Sequence, residues 1–303
     1  MIVVVCLNPA RDVTHRVDAV GWGEVNRPRA VHARPGGKGL NVARTLHALG
    51  ADVLVLGLAG GITGTGVEAA LRGLGVPAAF TPLTGETRRT FSVVDNSRVT
   101  AFHEPGPEVG AAEFAEFRVD YEKALAGAEA VVLSGSLPPG LPASTYATLI
   151  RAAGVPVVLD THGEALRHGA AAEPAIVKPN RAELEALTGC SLTTQQEVTA
   201  AAGELRGARA VVITLGPEGL WAATGDGCWR ARVPAAVGGN ATGAGDAVAA
   251  ALAHGIVLRR PWDERLRHAA ALGAAAAAAP VAGEFRQQDY VGALRAVAVE
   301  EVR

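Results

Sequence analysis

Six short runs of nearly unbroken apolar, largely β-branched residues restrict the fold of this chain more than any other feature. They are IVVVCLN from residue 2, DVLVLGLAG from 52, AVVLSGS from 130, VPVVLDT from 155, PAIVKPN from 174 and AVVITLG from 210. Strands without polar alternation are buried on both faces, as in a parallel sheet covered by helices. Helical stretches such as GLNVARTLHALG and RAELEALTG lie between them and close on glycine. This β-α alternation specifies an α/β chain with a doubly wound, mostly parallel sheet flanked by helices. Ligands of such sheets sit beyond the carboxyl ends of the strands, where the polar residues of this chain cluster.

Two segments break the alternation. Residues 11–34 and 86–104 place apolar and polar residues at every second position, the period of half-exposed strands. They are expected to form a small β-sheet lid over the carboxyl edge, covering a substrate or pairing with a second subunit. Neither a long linker nor an internal repeat divides the chain, so residues 1–303 are expected to form one domain.

Hydrophobic residues make up 49% and charged residues 19%, which fits a globular protein. A net charge of -2 gives no general attraction to nucleic acid or to an anionic membrane. Three scattered cysteines, with neither an apolar leader nor a 20-residue apolar span, suggest a soluble protein of a reducing, cytoplasmic compartment.

The glycine-rich turns separate on inspection. GLAGGITGTG at 57 lacks the third glycine and the downstream acid of a dinucleotide fingerprint, and RPGGKGLN at 34 lacks the spacing and hydroxyl of a P-loop. In the latter, a helix begins directly after the turn, so backbone N–H groups and Lys38 face one point, suited to an oxyanion or a sugar hydroxyl. GGNATGAGDAVAAALAHG, from 238, sets the lone acid Asp246 where a glycine loop becomes a helix. A helix N-terminus attracts anions, so Asp246 either caps that end or shares it with a phosphate. VKPNRAELEAL places Lys178 and Asn180 at a strand end and Glu183 in the next helical turn. That is a capped helix or, equally, a lysine facing a polyphosphate and a glutamate facing magnesium or its waters. The eight histidines show no metal-binding pairing and no nucleophile partner.

Taken together and in order, LNPARDVTHRVD, PGGKGLNVARTLHALG, SGSLPPG, VKPN and NATGAGD resemble the phosphofructokinase-B group of ribokinase-like carbohydrate kinases, closest to the 1-phosphofructokinase and tagatose-6-phosphate kinase branch. The resemblance implies ATP-dependent phosphoryl transfer, with magnesium, to a ketohexose phosphate. Fructose 1-phosphate is the leading substrate; tagatose 6-phosphate and fructose 6-phosphate are the alternatives. It implies Asp246 as the base and Gly243, Ala244 and Gly245 as an anion hole. Asp12, Gly36, Gly37, Lys38 and Asn41 would hold the sugar near Ser136, and Arg88, helped by Arg27, would hold its phosphate. Lys178, Asn180 and Glu183 would attend the ATP phosphates and the metal, with Glu183 the metal residue. Thr214, Gly216 and Gly219 would line the nucleotide cleft, and the lid would support a homodimer. His103, Ala101 and Ala247 depart from the pattern of that branch. A regulatory module that binds sugar or nucleotide without chemistry is the competing class.

Overall fold

The computed structural model describes residues 1–95, 98–233, 242–279 and 281–302. In chain order, β1 (Ile2–Cys6), β2 (Ala10–Arg16) and β3 (Ala30–Gly36) lead into α1 (Lys38–Ala48), followed by β4 (Val53–Gly60), α2 (Gly61–Gly73) and β5 (Ala78–Leu83). The antiparallel pair β6 (Arg88–Val94) and β7 (Val99–His103) comes next. The alternation resumes with α3 (Ala111–Leu125), β8 (Ala130–Ser134), α4 (Thr145–Ala153), β9 (Val157–Asp160) and α5 (Gly163–Ala170). It continues through β10 (Ile176–Val177), α6 (Arg181–Thr188), α7 (Gln195–Gly203) and β11 (Val211–Thr214). After a 3₁₀ turn at Gly216–Glu218 come β12 (Leu220–Thr224) and β13 (Gly227–Arg232). The remaining elements are α8 (Ala244–Val257), α9 (Trp262–Ala278), α10 (Gln287–Ala296) and β14 (Ala298–Val302).

The ten-stranded sheet runs β14-β13-β12-β11-β10-β9-β8-β1-β4-β5. The six apolar runs are its six consecutive inner strands, β11 through β4, and all pair in parallel. Along β1, Ile2, Val4 and Cys6 enter one hydrophobic core while Val3 and Val5 enter the other, so both faces are covered. The sequence pattern misses β5 at one edge and the antiparallel strands β12, β13 and β14 at the other. These carry polar residues on part of their length and so lack the uninterrupted apolar signature.

Helices α1, α8 and α9 pack on one face of the sheet, and α3 to α7 on the other. The alanine-rich stretches of α8 and α9 are buried against each other, where small side chains let two helices approach closely. Beside β1 the strand order reverses: the chain steps to β4 and β5 on one side and to β8 on the other. That switch opens a crevice at the carboxyl ends of the strands.

Segments 11–34 and 86–104 supply a separate four-stranded sheet, ordered β3-β2-β6-β7, which packs on α2. β2 pairs in parallel with β6 and antiparallel with β3, so this sheet is mixed. Residues 96–97 of the second segment lie outside the described residues, as do 238–241 of the glycine-rich stretch.

Candidate active site

Asp246 is the third residue of α8 and only 6% exposed. The helix is capped by Gly243 at φ 87°, a left-handed conformation that favours glycine, and a Cβ there would also press on Ala282. Gly243 itself brings no side chain to cap this end. The first N–H groups of α8 have no acceptor within the helix. Asn41, one turn into α1, donates from Nδ2 to Asp246 Oδ2 at 2.9 Å and sets the carboxylate's orientation. Burial, reinforced by the charge of Asp160, pushes the Asp246 carboxyl up to about 6, against the opposing pull of Lys38, Asn41 and Lys178.

Asp160, the last residue of β9, is fully buried. Its Oδ1 lies 3.2 Å from Lys38 Nζ and 3.4 Å from Lys178 Nζ, while Oδ2 has no partner among the described residues. Lys178 is 2% exposed, and a Cβ on Gly245 would lie 3.4 Å from its Nζ, so the ammonium abuts the start of α8. Lys38 also donates to Glu183 Oε1 at 2.8 Å. Burial opposes the charge on Lys38, yet Asp160 and Glu183 outweigh it and raise the affinity of its amine for the proton. Glu183 and Asn180 form a reciprocal cap at the start of α6: the Glu183 N–H donates to Asn180 Oδ1, and the Asn180 N–H to Glu183 Oε2. Asn180 pairs as a bridge with Thr214, which leads into Gly216 and Gly219. Gly219 is required by its backbone as well, with φ 91° and the Ala231 carbonyl against its α-carbon.

The other half of the site comes from the small sheet. Asp12 accepts from Thr90 Oγ1, and its carboxylate occupies the space that a Cβ on Gly36 would fill. Burial raises the Asp12 carboxyl, opposed by Thr90, Arg88 and others. Arg88 donates from Nε to the Asn8 carbonyl at 3.1 Å and from Nη1 to the Glu104 carbonyl at 3.4 Å. Asn8 in turn donates from Nδ2 to Ser136 Oγ at 3.1 Å and to the Pro105 carbonyl at 3.0 Å. Three neighbouring arginines are held by carboxylates: Arg29 by Asp18, Arg34 by Glu284 and Arg89 by Glu104. Arg88 meets only carbonyl dipoles in those hydrogen bonds, and its charge acts on the nearby Asp12 carboxyl.

The family comparison decides what kind of site this is. The model of the pfkB family carbohydrate kinases matches residues 1–287. The chain belongs to the pfkB family of carbohydrate kinases. Among solved structures, it is similar to phosphofructokinase-2 from Escherichia coli in complex with fructose-6-phosphate, at 30% identity and TM-score 0.87, over 97% of this chain and 98% of that one. The tetrameric inhibited form of the same enzyme matches at 30% identity and TM-score 0.89 over the same shares. A protein described as a possible 1-phosphofructokinase from Thermotoga maritima matches at 26% identity and TM-score 0.89, over 100% of this chain and 99% of that one. The two sheets of this sugar kinase are those of the ribokinase-like fold.

Within this kinase the expected residues gather in two linked groups. Asp246, Gly243, Ala244, Gly245, Asn41, Lys38, Lys178, Asn180 and Glu183 surround the start of α8, and Asp12, Gly36, Arg88 and Ser136 lie on the small-sheet side. Gly37, at φ 98°, turns the chain between them. Arg27 does not join either group. It is exposed in the loop from β2 to β3, with no hydrogen bond or ion pair to these residues among the described ones. Asp160 and Asn8 escaped the sequence reading. Their signal was present, a polar residue directly after a fully apolar strand, but it is shared with ordinary turns.

Proposed function

We propose that this kinase transfers the γ-phosphoryl group of ATP to a hydroxyl of a ketohexose phosphate, with fructose 1-phosphate giving fructose 1,6-bisphosphate as the leading reaction. The observation that carries the proposal is the pairing of Asp246 with a helix start capped by glycine and the Lys178 ammonium. The acceptor hydroxyl gives its proton to Asp246 as its oxygen forms the new bond to the γ-phosphorus. The bond from that phosphorus to the β,γ-bridging oxygen breaks, and ADP leaves. The N–H groups at Gly243, Ala244 and Gly245 and the Lys178 ammonium neutralise the migrating group. Such positioning and charge neutralisation supply most of the catalysis in phosphoryl transfer. A base held near 6 is ionised at neutral pH and still accepts a proton readily.

The residues present suit magnesium. Asp160 Oδ2 is a buried carboxylate oxygen without a partner among the described residues, and Glu183 lies across Lys38 from it. Asp160 and Glu183 would hold the ion, mainly through its waters, as magnesium prefers. When bound, it would offset negative charge on the ATP phosphates.

Arg88 is the cation for the phosphate already on the sugar, and Asp12 and Asn41 take the sugar hydroxyls. The small sheet acts as a lid over the substrate and as the surface for a homodimer, within a single 1–303 domain. Fructose 6-phosphate is a second reading, favoured by the 30% identity to the enzyme solved with that sugar. A coupled ADP-release assay across fructose 1-phosphate, fructose 6-phosphate, tagatose 6-phosphate and unphosphorylated sugars separates the cases. The highest kcat/KM is expected with fructose 1-phosphate. Turnover of unphosphorylated sugars alone would overturn the phosphosugar assignment, and turnover of none would favour a binding module.

A further inference from the structure

On the face of the large sheet opposite α8, a cavity of about 80 Å³ opens beside the 3₁₀ turn Gly216–Glu218. Trp221 on β12 and Arg230 on β13 are directly opposed partners, so both side chains stand on this face. Arg181, the first residue of α6, Glu218 of the turn, and Thr194 and Gln195 at the start of α7 complete the walls.

What these walls offer is unbalanced. Trp221 is 2% exposed, and its indole N–H has no acceptor among the described residues. The Nε atoms of Arg181 and Arg230 are buried and equally without an acceptor there. Glu218 is the single carboxylate on the wall. It takes Arg181 Nη2 at 2.5 Å and stands 3.9 Å from Arg230 Nη2, so two guanidiniums share one negative charge. The start of α7 is already capped by Glu197, whose carboxylate accepts from the Thr193 and Thr194 N–H groups. Buried donors left unmatched are costly, and a guest bearing several acceptor oxygens would satisfy them together. A cation is disfavoured because the unmatched groups on the wall, Trp221 Nε1, Arg181 Nε and Arg230 Nε, are all donors. A nucleotide is excluded by volume, since about 80 Å³ exceeds a single water site but suits a tetrahedral ion.

We propose that this cavity binds a small free oxyanion of the phosphate class, separately from the reaction centre, in competition with Glu218 for Arg181 and Arg230. Occupancy loosens the hold of both arginines on the turn that carries Gly216 and Gly219. The anion is therefore expected to alter nucleotide affinity, and that consequence alone rests on the proposed nucleotide cleft.

The test is calorimetric titration of the full chain with inorganic phosphate, in the absence of sugar and nucleotide. Wild type is expected to bind saturably, and Arg88→Gln, which removes the proposed sugar-phosphate cation, is expected to keep the binding that depends on Trp221. Trp221→Phe, which keeps an aromatic side chain but removes the N–H with the pyrrole ring, and Arg230→Gln should each weaken binding at least tenfold, with circular dichroism confirming the fold. If Arg230→Gln does not fold, Trp221→Phe carries the comparison. Loss of binding in Arg88→Gln, or unchanged binding in Trp221→Phe, overturns the proposal, as does the lack of saturable binding in wild type. Repeating the nucleotide titration with and without phosphate reads the coupling, and equal affinities would refute it. A chain that binds phosphate in this pattern yet transfers no phosphoryl group would sink the kinase reaction and leave this site standing.

Discussion

Replacing Asp246 by asparagine separates charge from shape at the centre of the site. The carboxyl is buried and raised from its ordinary 3.8 to about 6, so the folded protein holds this proton more tightly than the unfolded chain does. Each tenfold change in proton affinity corresponds to about 1.4 kcal/mol, which makes the cost of keeping this group ionised in the fold roughly 3 kcal/mol. The sign follows from linkage. Below about pH 4 both states are protonated and the cost is absent; it grows between about 4 and 6 and is complete above. Asp246→Asn is therefore expected to be more stable than wild type at pH 7, by up to about 3 kcal/mol, and nearly equal to it at pH 4. Urea unfolding followed by circular dichroism at both pH values measures this. The same variant should lose about 10²–10⁴-fold in kcat while nucleotide binding barely changes. A variant less stable than wild type at pH 7, or a stability gap that ignores pH, would refute the burial argument. A kcat within threefold of wild type would refute the base.

Three further substitutions test the surroundings of that carboxylate. Asn41→Ala removes the hydrogen bond that favours its charged form, so the acid limb of kcat/KM should move to higher pH. Asp160→Asn removes the negative charge that raises it, so the same limb should move to lower pH; if both shift the limb the same way, the electrostatic account fails. Asp160→Asn also strips Lys178 of its buried counter-charge and should destabilise the protein by about 3–5 kcal/mol in the same urea assay. Arg88→Ala should raise KM for the sugar phosphate at least tenfold and leave KM for ATP nearly constant, and equal changes in both would remove Arg88 from the sugar-phosphate role.

Where an element is uniformly apolar, its place was legible: all six strands with that signature lie side by side in the sheet. The antiparallel strands were not, because β13 and β14 interrupt their apolar residues with Arg230, Arg232, Glu300 and Glu301. At the site, Asp246, Lys178 and Glu183 could be found because each sits at a helix start or strand end whose geometry implies an anion. Asp160 could not. VPVVLDT reads as a strand ending in a turn, and only the fold brings two lysines from distant segments onto one carboxylate oxygen. Arg44 shows the same limit from the opposite side. It lies between Ala43 and Thr45 in a mostly apolar helix, yet it is buried and binds the Ala282 carbonyl and Glu284.

Helix α1 explains why the two halves of the site stay in register. Gly36 ends β3 beneath the Asp12 carboxylate, and Gly37 turns the chain so that Lys38 opens the helix. Lys38 and Asn41 are three residues apart and therefore on one face. The first reaches Asp160 and Glu183, and the second reaches Asp246. Arg44, a further three residues along, binds the Ala282 carbonyl, and Ala282 packs on Gly243 at the cap of α8. One helical face thus touches Asp246, the carboxylates beside Lys178, and the segment that supports the helix of Asp246. A rotation of α1 would move all of these contacts together, so the small-sheet side of the crevice cannot shift without carrying the α8 side with it.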